Sequence, residues 1–225
     1  MAAAIGLAES NGDTFGFPRW KYESVFPIQG CFCDNLPSGP EYRELRYSYD
    51  PIPYQPSLRL SGFFQSEIYF KDHKGLVREL FTPFGVPKRD QYAKIASLHI
   101  RRGDYLLLPD KHPILPMSYY DEAVEYLRSN YDVKKFLVFS DDLPWCRDRF
   151  MRDPFEVIPD TPPVKQLALT IACEHHIMAN STFSWWGAWL DPNPDKIVIA
   201  PKIWFGPGYA HYDTKDLLPP EWIVM

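Results

Sequence analysis

The sequence predicts an α/β fold built on a mostly parallel sheet, and two observations carry that prediction. From residue 93 to the end, apolar segments of strand length alternate with segments that are apolar at helical spacing. Such repetition implies right-handed crossovers between parallel strands. In addition, the motifs HIRRGDY, SDD and ANSTFSWW stand directly behind three of those strands. That is where parallel sheets bind ligands, beyond the carboxyl ends and at the point where strand order reverses.

Composition bounds the answer. With 225 residues, 45% of them hydrophobic and 24% charged, the chain is large enough to bury a core and has the size of one large domain or two small ones. A net charge of −5 argues against a general nucleic-acid or membrane-surface binder, so any anion site must be local. Four cysteines, Cys31, Cys33, Cys146 and Cys173, are too few for a dense disulfide framework in a chain this long. A reducing compartment, and so a cytoplasmic location, is the expectation.

The opening stretch MAAAIGLAESNGDTFGFP lacks a basic leader, and its apolar run is too short for a signal core or a membrane span. No targeting or transmembrane segment is therefore expected. Ala3, Ala4, Leu7 and Ala8 fall at helical spacing, and SNGD is a helix stop followed by a turn. The chain is thus expected to open inside a helix, and because most α/β domains open on a strand, a strand ahead of it is expected to be missing. Residues 20 to 60, with CFCDNLPSGP and YDPIPYQP, read as turns and irregular segments. A helical reading resumes at SGFFQSEIYF, with Leu76, Val77 and Leu80 on one face, and ends near FTPFG.

Residues 93–225 have a clearer rhythm. KIASLHI is a strand, and MSYYDEAVEYLRSN is a helix with Ser118 and Asp121 resembling a capping box and Tyr120, Ala123, Val124 and Leu127 on its apolar face. KKFLVFSDD is the next strand, WCRDRF a short helix and FEVI a strand. PVKQLALTIACE is a helix that turns Val164, Leu167, Ala168 and Ile171 inward. HHIMAN, STFSWWGAWL and DKIVIAP then read as strand, helix and strand.

Each charged motif has two readings. Arg101 and Arg102 beside Asp104 are either a solvated ion-pair cluster or a site for a strong anion. The second gains weight from Asn180, Ser181 and Thr182, which stand where a helix begins and offer backbone N–H groups to the same anion. A nucleotide diphosphate suits two guanidinium forks. Asp141 and Asp142 either cap the following helix or take part in nucleotide binding. Cys173, His175 and His176 are read as core and not as a metal site, and Trp185, Trp186 and Trp189 as core before sugar platform. Nor does an Asp-x-Asp pair, a common device for holding a diphosphate through a metal ion, occur anywhere in the sequence.

HIRRGDY, FSDDLPW and above all ACEHHIMANSTFSWWGAWL resemble the glycosyltransferase family 11 α-1,2-fucosyltransferases, with LSGFFQSEIYF and FPRWKYESVF fitting family segments upstream. The resemblance implies a GT-B-like arrangement: a shortened N-terminal α/β acceptor domain over residues 1–92 and a Rossmann-like parallel-sheet donor domain over 93–225. It implies GDP-β-L-fucose as donor, a galactoside glycan as acceptor, inversion at the sugar carbon, and no metal or other cofactor. It casts Arg101, Arg102 and Asp104 as catalytic. Donor binding falls to His99, Arg101, Arg102, Ser140, Asp141, Asn180, Ser181, Thr182, Phe183 and Ser184. Two departures from the family pattern are expected to matter. A leading strand with a Gly-Gly-Leu-Gly-Asn-Gln turn is absent, and Gln166 in QLALTI stands where the family carries an aspartate. A weakly active or inactive GDP-sugar-binding remnant is the alternative function.

Overall fold

A computed structural model describes residues 1–36 and 38–225. Pro37, inside the stretch read as a turn, lies outside the described residues. Two compact units emerge, Met1–Phe84 with Tyr212–Pro220, and Gly85–His211 with Glu221–Met225. The break thus precedes the expected 92/93 boundary. Within the second unit, Arg89 ties this segment down: its guanidinium donates to the Asp191 carboxylate at 2.5 Å and to the Cys173 carbonyl at 3.2 Å. Residues 212–220 return to the first unit, where Asp216 accepts the Tyr49 N–H at 2.8 Å and Tyr212 packs on Tyr47.

The first unit begins with α1 (Ala2–Asn11), ended by Gly12 at φ 66°, a left-handed conformation that glycine adopts without strain. In and just around the segment read as irregular lie two small parallel pairs: β1 (Phe17–Pro18) with β2 (Phe32–Cys33), and β3 (Glu41–Arg43) with β4 (Arg59–Ser61). They were illegible because two or three residues carry no measurable alternation. The later helix, α2 (Lys74–Phe81), starts well after the expected point, since residues 67–69 and 71–73 form only 3₁₀ turns.

The second unit carries the predicted alternation. In chain order it runs β5 (Ile95–Ile100), α3 (Met117–Tyr131), β6 (Lys135–Ser140), α4 (Leu143–Arg149), β7 (Phe155–Val157), α5 (Pro163–Ala172), β8 (His175–Ile177), α6 (Thr182–Leu190), β9 (Val198–Ala200) and β10 (Ile223–Val224). All six strands are parallel in the order β7-β6-β5-β8-β9-β10. This is the doubly wound arrangement, and the order reverses between β5 and β8. The sequence reading missed β10, again because two residues give no period. Among the described residues no helix is long and apolar enough to cross a membrane.

Strand alternation sorts the core. Ala96, Leu98 and Ile100 of β5 and Phe136 and Val138 of β6 pack with Tyr120, Ala123 and Leu127 of α3. Leu137 and Phe139 of β6 pack in a second cluster with Ile158 and Cys173. Truncating a fully buried side chain such as Leu127 costs about 2–5 kcal/mol. Ser118 does not cap α3. The helix starts at Met117 behind Pro116, with no side-chain cap, so Ser118 already lies in the first turn.

Candidate active site

A cleft of about 560 Å³ opens at the carboxyl ends of β5, β6 and β8, at the point where strand order reverses. Of the residues predicted for donor binding, His99, Arg101, Ser140, Asp141, Ser181 and Phe183 line it. Gln166, at the position where the resemblance implies an aspartate, lines it as well, as do Asp160 and Thr161, which the sequence reading did not assign to the site. Asp160 and Thr161 follow β7, so the carboxyl-end rule, applied to that strand, points to them. A second cavity, of about 470 Å³, lies in the first unit with Ala3, Ala4, Leu7 and Phe64 among its walls. That cavity also has an arginine, Arg59, and the start of α1 in its walls, but only the former lies beyond the carboxyl ends of the six-stranded parallel sheet where strand order reverses, which favours it as the site.

The two arginines divide their work. Arg101 lines the cleft with a third of its side chain exposed, its guanidinium 2.5 Å from the Asp104 carboxylate and 2.8 Å from that of Asp141. Arg102, expected to reach the same crevice, does not line it. Its side chain is only 17% exposed: Nε donates to Asp142 at 3.1 Å and the guanidinium lies 4.2 Å from the Trp145 ring centre. Neighbouring side chains on an extended segment diverge, so one arginine faces the cleft while the other packs beside α4.

The two aspartates divide likewise. Asp142 caps α4, accepting the Trp145 N–H at 3.2 Å. Asp141 accepts the Arg102 backbone N–H at 2.9 Å and lies so close to Gly103 that a Cβ there would stand 2.5 Å from its Oδ2. The glycine of RRGD is therefore explained by that carboxylate's approach.

His99 is buried beside the cleft and stacks on Phe139 at 5.0 Å. Burial pushes its pKa down to about 3, with neighbouring His176 adding to the shift, so the ring is neutral. Its Nε2 lies 3.1 Å from the Thr170 hydroxyl, which donates its own proton to the Gln166 carbonyl at 2.9 Å. Thr170 therefore accepts from His99, which fixes the Nε2–H tautomer. Beneath it Ser97, His176 and Asp191 form a buried chain that ends on the partly exposed Arg89. His176 gives Nε2–H to Asp191 at 3.0 Å and accepts from Ser97 at 2.9 Å. With His175 accepting the Ile197 N–H and Cys173 bonded to the Leu169 carbonyl, these residues are core.

On the other side of the cleft α6 begins. Ser181 precedes it without capping it through its side chain, and the first N–H groups of a helix have no partner within it. Thr182 is exposed there but does not line the cleft. Asn180 and Ser184 act on the backbone instead: Asn180 donates to the Pro113 and Trp204 carbonyls at 2.9 and 3.2 Å, and Ser184 to those of Ala179 and Ser181 at 3.0 and 2.8 Å. Tyr105 donates to the Asn180 carbonyl at 2.9 Å, bracing the arginine loop against the loop that leads into α6. Trp185 and Trp189 are buried and stacked in parallel. The site thus offers an anion one guanidinium, a helix N-terminus and an uncharged histidine wall.

Comparison with known proteins bears on what that anion is. The family model described as glycosyl transferase family 11 matches residues 38–225. The O-antigen biosynthesis glycosyltransferase WbnK of Escherichia coli is 40% identical over 183 residues, covering 73% of this chain and 59% of its own length. An alpha-1,2-colitosyltransferase of the same organism is 34% identical, covering 74% of this chain and 62% of its own. Galactoside alpha-(1,2)-fucosyltransferase 2 of Oryctolagus cuniculus is 24% identical, covering 99% of this chain and 71% of its own. The chain thus spans about 60% of the length of the two bacterial relatives.

Proposed function

Because this chain belongs to glycosyltransferase family 11, we propose that it is an inverting α-1,2-fucosyltransferase, moving L-fucose from GDP-β-L-fucose to a galactose hydroxyl of a glycan. The observation that carries the proposal is the cleft where strand order reverses, with Arg101 on one wall and the start of α6 on another. The diphosphate sits between them. As the bond from the sugar carbon to the phosphate oxygen breaks, its electron pair stays on that oxygen. Charge grows on the diphosphate, and a fixed guanidinium with helix N–H groups stabilises it more in the transition state than before. Asp141 holds Arg101 in place. The acceptor hydroxyl attacks the opposite face of the sugar carbon, which gives inversion, and its proton is released to solvent. With no Asp-x-Asp pair in the sequence, neutralising the leaving group falls to Arg101 and α6.

The test is incubation with GDP-fucose and a β-galactoside in the presence of a chelator, following GDP release and the linkage of the product. Stoichiometric GDP and an α-1,2-linked fucoside are expected. Transfer from a colitose donor in place of fucose would favour a colitosyltransferase, the activity named for the 34% identical relative. GDP binding without transfer would favour the inactive remnant, and failure to bind GDP overturns the proposal.

A further inference from the structure

We propose that Asp104 is a displaceable counter-ion for Arg101, one that occupies the guanidinium in the empty site and competes with the donor diphosphate for it. The proposal rests on the reading of the cleft as a nucleotide-diphosphate site and adds a role for one carboxylate within it.

The charge balance raises the question. The arginine loop and the residues it touches hold two cations, Arg101 and Arg102, against three carboxylates, Asp104, Asp141 and Asp142. A strong anion entering this group meets a surplus of negative charge unless one carboxylate gives way. Two are fixed. Asp142 caps α4 and pairs with Arg102. Asp141 accepts the Arg102 backbone N–H and is packed against Gly103, with a quarter of its side chain exposed.

Asp104 is different. Its carboxylate is 59% exposed, and its ion pair is with Arg101 alone. It stands on a short 3₁₀ turn that follows the glycine, where a side-chain rotation releases it without disturbing the sheet. Arg101 keeps its orientation through Asp141 and through its position over the Tyr105 ring, 5.0 Å away. The exchange is thus one anion for another at a guanidinium that does not move. A phosphate oxygen replaces Asp104 on donor entry, and Asp104 recaptures Arg101 as GDP leaves.

A purely orienting aspartate and a competing one predict opposite signs. Titration calorimetry of the full chain with GDP, and separately with inorganic pyrophosphate, compares wild type with Asp104→Asn, Asp104→Ser and Asp121→Asn. Asp121 is exposed on α3 and controls for the change in net charge. Tighter binding of both probes by roughly threefold or more is expected for the two Asp104 variants, the scale of an exposed ion pair, with none for Asp121→Asn. Loss of fold cannot produce tightening. Equal or weaker binding in both Asp104 variants overturns the proposal, as does equal tightening in Asp121→Asn. If wild type binds pyrophosphate but not GDP, the nucleotide reading fails and the counter-ion role is judged on pyrophosphate. If it binds neither, both fail.

Discussion

The Arg102 guanidinium lies 4.2 Å from the ring centre of Trp145, and its Nε donates to Asp142 at the start of the same helix. An arginine whose sequence position suggests a ligand contact is thereby a brace between the strand end and α4, and Arg101 is the cation that faces the cleft. The two side chains, adjacent in sequence, are expected to respond differently to mutation.

Arg101→Ala is expected to cost transfer but little stability, because its side chain is a third exposed and is held by surface carboxylates. Loss of one charge-stabilising donor is worth about 2.7–4 kcal/mol in the barrier, roughly 10²- to 10³-fold in rate. Arg101→Lys should recover little, since it keeps the charge and loses the fork. The check is kcat/KM beside Tm for the three proteins. Normal turnover in the alanine variant rules Arg101 out.

Arg102→Ala is expected to lower Tm as well as rate. Removing it strips a half-buried carboxylate of its partner and the Trp145 ring of its cation, together about 1–3 kcal/mol. A double-mutant cycle with Asp142→Asn, read by chemical denaturation, should give a coupling of at least about 0.5 kcal/mol. Additive losses would show that the pair contributes nothing.

Acid should destabilise the protein through His99. The unfolded-state histidine takes up a proton near pH 6.5, whereas the buried one resists until about pH 3. The unfolded state therefore binds protons first. Stability is full above about pH 6.5 and falls toward about pH 3, at roughly 1.4 kcal/mol per pH unit for each such group. His176, likewise lowered by burial, adds to the slope. His99→Asn should flatten the dependence of Tm on pH in that window, and an unchanged slope counts against this account.

GDP affinity should be the same with and without chelator. That expectation comes from the absent Asp-x-Asp pair and from the guanidinium in the cleft. Calorimetry that finds binding only after magnesium or manganese is added would reverse it.

Where segments were long and periodic, the sequence sufficed. β5, β6, α3 and α5 carry enough apolar positions for period and face to be read, as Leu98, Leu127 and Leu167 show. It also placed the three motifs at one edge of the sheet, since a parallel sheet puts every carboxyl end on the same side. By contrast β1 to β4 and β10 have two or three residues each and lack the apolar helical segments in sequence that frame the equally short β7, β8 and β9.

The sequence by itself determined the alternation of strand and helix, the parallel sheet, and the arrival of arginines, aspartates and a helix start along one edge. Those follow from local periodicity and from a topological rule that holds whatever the partners are. Only the tertiary structure decided which arginine faces the cleft, which aspartate caps a helix, and that Asn180 and Ser184 serve backbone carbonyls while Asp160 and Thr161 reach the site. Such assignments depend on residues far apart in the chain competing for the same donors and acceptors. That competition is settled by packing, and it leaves no trace in the spacing of residues along the chain.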